Sequence, residues 1–222
     1  WNRVLIYATV PASDGPPAAV VVGQFDFRDT DSLGCTQAGL NNAHSAVLTP
    51  DGKLVLADSD HHRVLIWNRV PDTNAQPADV VLGQPDFVHC GENNDSGPGA
   101  NTLNQPFGLW SDGQRLIVAD SQNHRVLIWN QMPNDSSQNF KPADVVLGQT
   151  SMMGNVRNDA NGDGIDDGAP AATTFASPFE VHSDGQRLAV VDTGNNRVLL
   201  WNTIPTQSGT PPDRVFGQPA LN

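Results

Sequence analysis

Asp120-Ser121-Gln122-Asn123-His124-Arg125-Val126-Leu127-Ile128-Trp129 is the stretch from which the rest of the chain can be read. Val126 to Trp129 are apolar at successive positions, which marks a strand covered on both faces, not one with a wet side. The run recurs as Arg3-Val4-Leu5-Ile6-Tyr7, Arg63-Val64-Leu65-Ile66-Trp67 and Arg197-Val198-Leu199-Leu200-Trp201, at Arg-to-Arg steps of 60, 62 and 72 residues. Four residues after each aromatic stands a proline: Pro11, Pro71, Pro133 and Pro205. Each unit then ends in Gly-Gln, at Gly23-Gln24, Gly83-Gln84, Gly148-Gln149 and Gly217-Gln218. Five residues before three of the arginines lies an aspartate (Asp58, Asp120, Asp192), preceded by Asp-Gly at Asp51-Gly52, Asp112-Gly113 and Asp184-Gly185.

A repeat of this period decides the architecture. In the middle unit the pattern predicts strands over Pro106–Ser111, Gln114–Asp120, His124–Asn130 and Ala143–Gln149. Asp112-Gly113 forms a tight turn in the first pair, Ser121-Gln122-Asn123 turns the second, and a proline-bearing loop leads to the fourth. Short consecutive links imply antiparallel meanders. Meanders buried on both faces and repeated imply blades around an axis: an all-β propeller of four-stranded antiparallel blades. The expected division is 1–27 as the outer half of a blade, 28–87 and 88–153 as blades, and 154–222 as a blade with an inserted acidic loop. No first strand pair precedes Arg3, so about fourteen strands are expected. The ring is then expected to be completed by further blades of a longer protein or by another chain.

Composition agrees. The 222 residues carry 24 acidic against 12 Lys and Arg side chains, a formal charge of −12. Glutamate is confined to Glu92 and Glu180 and lysine to Lys53 and Lys141, while Asp, Asn, Gly and Pro abound. That mixture disfavours helix and favours turns. The charge argues against a nucleic-acid or anionic-membrane surface, and no apolar run reaches the eighteen residues of a membrane span. The chain opens inside a strand-like run, which leaves a removed signal peptide open.

The residues Val118 to Val126 resemble the signature of NHL-repeat propellers, named for an Asn-His-Leu run, and Asp58 to Val64 and Asp192 to Val198 are similar. His61-His62 and Asn195-Asn196 stand where the middle unit has Asn123-His124. The resemblance covers essentially the whole chain, with units longer than the family's usual repeat. It implies a propeller, commonly six-bladed, of bacterial secreted or surface type.

Candidate sites are read residue by residue. The recurring Asp/Arg pairs are structural, because a catalytic site is used once: the Asp accepts turn amides and the Arg bridges to it or to a neighbouring blade. Of six histidines only His44 and His182 fall in inner strands, at different depths, which does not make a three-ligand zinc site. Sequence motifs for a nucleophile elbow or a phosphate loop are absent, and Glu180 alone supports no acid–base pair. Cys35 and Cys90 lie in equivalent links of adjacent blades, so a disulfide is expected, with two free thiols the alternative. Trp110, which is not repeated, is a candidate lining residue of the channel or top face, whereas Trp67, Trp129, Trp201 and Tyr7 are packing residues.

The sharpest local signal is Asp159-Ala160-Asn161-Gly162-Asp163-Gly164-Ile165-Asp166-Asp167. It follows the D-x-[DN]-x-[DN]-G start of a calcium loop. Asp159, Asn161 and Asp163 would supply side-chain oxygens, Ile165 a carbonyl, and Asp167 a fifth ligand. Pro170 occupies the twelfth place, so the closing Glu of an EF-hand is missing. The loop therefore resembles dockerin-like or thrombospondin-type calcium loops; the bland alternative is an acidic solvated turn. The whole reads as an extracellular, cell-surface or periplasmic binding or scaffold module with structural calcium and a protein or glycan partner. The rivals are a propeller hydrolase or lyase with a central metal, and a building block of an extracellular assembly.

Overall fold

Strands form where the apolar runs lie. The computed structural model describes residues 2–220. Its strands run β1 (Val4–Ile6), β2 (Val20–Val22), β3 (Ala43–Leu48), β4 (Leu54–Asp58), β5 (Arg63–Trp67), β6 (Val80–Leu82), β7 (Pro106–Ser111), β8 (Leu116–Asp120), β9 (Arg125–Trp129), β10 (Val145–Leu147), β11 (Pro178–Ser183), β12 (Leu188–Asp192), β13 (Arg197–Trp201) and β14 (Arg214–Phe216). Among the described residues helix is limited to single 3₁₀ turns. The strands group as β1-β2, β3-β4-β5-β6, β7-β8-β9-β10 and β11-β12-β13-β14, every neighbour antiparallel. The fold is a β-propeller array of three four-stranded blades and one two-stranded outer pair. The outer strand β10 is shorter than expected because its flanks do other work. Asp144 accepts from the Asn130 amide, and Gly148 turns the chain at φ +90°.

The core lies between blades. On β4 and β5, Val55, Ala57, Val64 and Ile66 meet Leu116, Val118, Leu127 and Trp129 of the next blade. The alternate residues Leu54, Leu56, Leu65 and Trp67 meet Val22, with Val4 and Ile6 packed against them. The middle blade repeats this: Ile117, Ala119, Val126 and Ile128 pack on Leu188, Val190, Leu199 and Trp201. The period-2 geometry of a strand thus sends odd and even residues into two different cores. Each fully buried aliphatic side chain contributes roughly 1.5–3 kcal/mol. β12 and β13 alternate between buried and half-buried positions, because no blade among the described residues covers their far side.

Two devices lock each joint, and a third acts between the last two blades. First, the loop between the third and fourth strands clasps the preceding blade's outer strand. Asn74 Oδ1 accepts from Val21 N (3.0 Å), and Ala75 N donates to Val21 O (3.1 Å). Asn139 and Phe140 do the same to Val81, and Ser208 and Gly209 to Val146. These bonds protect strand edges that would otherwise template aggregation. Second, Leu40, Leu103 and Phe175 press onto Gly23, Gly83 and Gly148, where an added Cβ would lie under 3 Å from the ring or side chain and φ is near +90°; only glycine serves. Third, the inner strands β7 and β11 touch so closely at Gly108 that a Cβ there would lie 2.6 Å from Glu180 Cα.

Candidate functional site

The turn after each second strand carries the recurring polar cluster. Asp120 and Arg125 close the β8–β9 pair at its end, and their side chains are fully buried. Arg125 Nε donates to Asp120 Oδ2 at 2.7 Å, and Nη2 donates to the carbonyls of Gly99 and Thr102; Nη1 reaches Met152 O. Asp120 Oδ1 accepts the Asn104 amide at 2.7 Å, and Oδ2 also accepts from Asn123 Nδ2. Asp58–Arg63 and Asp192–Arg197 repeat the arrangement at 2.7 and 2.8 Å. The expectation that the aspartate accepts turn amides is corrected here: the amide comes from the link entering the blade, at Asn41, Asn104 and Ala176. The arginine ties that same link to the link leaving the blade. A guanidinium with its donors spent on a carboxylate and several carbonyls is a strut, not a ligand site.

The Gly-Gln ending has a role that sequence reasoning missed. Gln84 Nε2 donates to His62 O and Gly91 O, and Gln149 Nε2 to His124 O and Val156 O, sewing the turn to the outgoing link. His62 and His124 also cross the joints. His62 Nδ1 accepts from Gln105 N at 3.1 Å, and His124 Nδ1 from Ser177 N at 2.9 Å; Asn2 Oδ1 takes this part toward Asn42 N. Burial holds both imidazoles below their ordinary pKa, and the charge of Arg157 depresses His124 further. An accepting Nδ1 must be unprotonated, and the depressed pKa favours that form.

Cys35 and Cys90 are bonded, with Cα atoms 6.2 Å apart, joining the links that enter the first and second full blades. The bridge lies on the same side as the Asp/Arg turns. The acidic loop sits there too. Asp159 is buried, and its carboxylate accepts the amides of Gly162, Asp163 and Gly164. Asp163 N donates to Asn161 Oδ1, Asn161 Nδ2 donates to Asp163 Oδ2, and Asp163 Oδ1 accepts Ile165 N. Asp167 Oδ2 accepts Ala160 N. The five expected calcium positions therefore share one folded loop. Asp166 is drawn off to Arg157 (2.6 Å), and the Gly168 amide and that guanidinium lower its pKa. Part of the carboxylate repulsion is thus relieved within the chain.

At the axis, residues from three blades meet. His44 lies edge-on to Phe107 and Phe179, with ring centroids 4.4 and 5.2 Å away, and the two phenylalanines stack at 5.0 Å. His182 lies further along β11, opposite Ala189. Among the described residues no three His, Cys, Asp or Glu side chains converge as a metal-ligand set. Trp110 is partly buried and packs against the core shared with the last blade, with Arg115 5.8 Å from its ring centroid. Trp67, Trp129 and Trp201 are buried as expected, each indole donating to a carbonyl of the following loop.

Stacked antiparallel blades joined by identical struts define a repeat propeller. The NHL repeat is the family whose profile matches, over residues 40–67. Those residues span β3 to β5 of the first full blade, including Asp58 and Arg63. No curated protein matches the sequence. Among solved structures, a humanized mutant of the Chaetomium thermophilum Polycomb Repressive Complex 2 bound to the inhibitor GSK126 aligns with TM-score 0.40 and 12% identity, over 74% of this chain. The chain spans 28% of that chain's length.

Proposed function

We propose that this propeller is a binding or scaffold module whose contact surface is the face bearing the links between blades. The observation that carries the reading is a division of labour between framework and links. The Asp/Arg/Gln framework is nearly identical in the full blades, whereas the links differ in length and, with the turns, carry most of the net negative charge. Segments 23–42, 83–105 and 148–177, with turns 59–62, 121–124 and 193–196, contain eleven of the 24 acidic side chains and two of the twelve cationic ones, Arg28 and Arg157. Variable loops on a rigid scaffold are where recognition concentrates. A face of that sign favours a cationic protein segment and speeds its encounter.

The Cys35–Cys90 bridge supports an extracellular, surface or periplasmic setting, since disulfides persist in oxidising compartments. The loop of Asp159, Asn161, Asp163, Ile165 and Asp167 is proposed to hold structural calcium. Carboxylates that accept amides keep lone pairs for a cation, and the chain wraps its amides around Asp159 as a tight oxygen-lined loop requires. Its role is to order the longest link, not to catalyse.

The test is site-specific photo-crosslinking in an extract of the source organism. A benzophenone residue at Val88 on the link face, 67% exposed, is compared with one at Val10 on the opposite loops, 93% exposed. A discrete, salt-sensitive adduct from Val88 alone supports the proposal. Equal labelling from both positions, or adducts from Val10 alone, overturns it.

A further inference from the structure

The residue before each recurring arginine is Asn2, His62, His124 or Asn196. Three of these side chains reach across a joint to a backbone amide at the entrance of the next blade. Asn2 Oδ1 accepts from Asn42 N at 3.4 Å, His62 Nδ1 from Gln105 N at 3.1 Å, and His124 Nδ1 from Ser177 N at 2.9 Å. The amides belong to residues with φ of 55°, 48° and 50°, a conformation that side-chain-bearing residues keep only when their surroundings fix it. The amide oxygen of Asn2 accepts at any pH. An imidazole nitrogen accepts only while it has a lone pair, so a proton on Nδ1 sets N–H against N–H.

The surroundings poise both rings for such a change. Burial disfavours the charged form of each. Around His62 the charged groups are Glu92, Asp60 and Asp120, and all three favour the proton, as does the Asn104 side chain. Around His124, Arg157 opposes protonation, whereas Asp120, Asp192 and Asp166 favour it. The rings are therefore neutral at pH 7, yet each has carboxylates beside it to meet the charge once the pH falls below about 6.5. The other ties of the same joints do not titrate there. One residue beyond the latched amides, Ser59 Oγ donates to Pro106 O and Ser121 Oγ to Pro178 O, and apolar cores fill both joints.

We propose that His62 and His124 are acid-operated latches: protonation opens the link-face side of the two joints between full blades, while the serine hydroxyls and the cores hold the blades together. Opening frees Gln105 and Ser177, the last residues of links 83–105 and 148–177. The joint closed by Asn2 has no such proton acceptor and stays shut. The device is a property of the joints and needs no bound partner.

The test is amide exchange by NMR on the ¹⁵N-labelled full chain at pH 7.5 and 5.5, each rate referred to that of an unstructured peptide at the same pH. Protection of Gln105 and Ser177 should fall at least about ten-fold at pH 5.5, and that of Asn42 should hold. A His62→Asn, His124→Asn variant, which puts the side chain of Asn2 at both joints, should keep its protection at both pH values. A second readout needs wild-type protein alone: the imidazole nitrogens of His62 and His124 should titrate with the same midpoints as the amide shifts of Gln105 and Ser177. The proposal is overturned if Gln105 and Ser177 are equally protected at both pH values, or unprotected at both. It is also overturned if Asn42 loses protection alongside them, if the asparagine variant opens in acid as wild type does, or if ring and amide midpoints differ.

Discussion

Replacing Asp120 by alanine should be among the most damaging single changes in this chain. The carboxylate is fully buried, 2.7 Å from the equally buried Arg125 guanidinium. It also accepts the Asn104 amide and the Asn123 side chain. The variant leaves a buried cation without its counter-charge and orphans two donors. Removing one partner of such a pair costs about 3–5 kcal/mol. In a domain of this size each kcal/mol lowers Tm by about 2–4 °C, which gives a fall of roughly 6–20 °C. Asp112 is the control: it pairs with Arg115 at 2.9 Å, but both side chains are partly exposed. Such a pair is worth at most about 1 kcal/mol, so Asp112→Ala should move Tm by less than about 4 °C. Differential scanning calorimetry at pH 7 reads both. A double variant, Asp120→Leu with Arg125→Met, removes both charges together and should be less unstable than Asp120→Ala. If Asp120→Ala melts within about 2 °C of wild type, the strut is not carrying the blade. If the double variant is worse than the sum of its singles, buried charge is not the reason.

The remaining expectations are briefer. Cys35→Ser with Cys90→Ser opens a crosslink of sequence separation 55, and loop-closure entropy puts the loss near about 4 kcal/mol as an upper figure; urea midpoints with and without reductant should coincide in the variant and differ in wild type. Gly108→Ala drives a methyl against the backbone of Glu180 and should cost about 1–3 kcal/mol, read as a lower urea midpoint at unchanged m-value. The depressed pKa values of His62 and His124 mean that the unfolded chain binds protons more readily. Their contribution is therefore complete above about pH 6.5 and is lost as pH falls below it. Urea midpoints at pH 7.5 and 5.5 should differ in wild type and converge when both are replaced by glutamine. Calorimetry should show calcium heat at millimolar concentration that Asp163→Ala abolishes; equal heats from both proteins would mark the loop as a solvated acidic turn.

The propeller is legible in the sequence because its signals are local. Arg-Val-Leu-Ile-Trp specifies a strand through neighbouring residues, and Asp112-Gly113 specifies a turn through its own backbone freedom. Their repetition multiplies a weak local signal into a strong one, and the repeat phase alone brought Cys35 and Cys90 to the same side. Apart from that disulfide, what crosses the joints was not legible. His62 binds Gln105 N across 43 residues, Asn139 clasps Val81 across 58, and Trp110 packs against the core of the next blade. The three rings of His44, Phe107 and Phe179 align in the repeat, but their contact depends on how closely the inner strands approach at Gly108. Such contacts are set by the rotation and spacing of one rigid blade against another. Those quantities arise from packing two side-chain surfaces together, and no window of sequence within a single blade contains both surfaces.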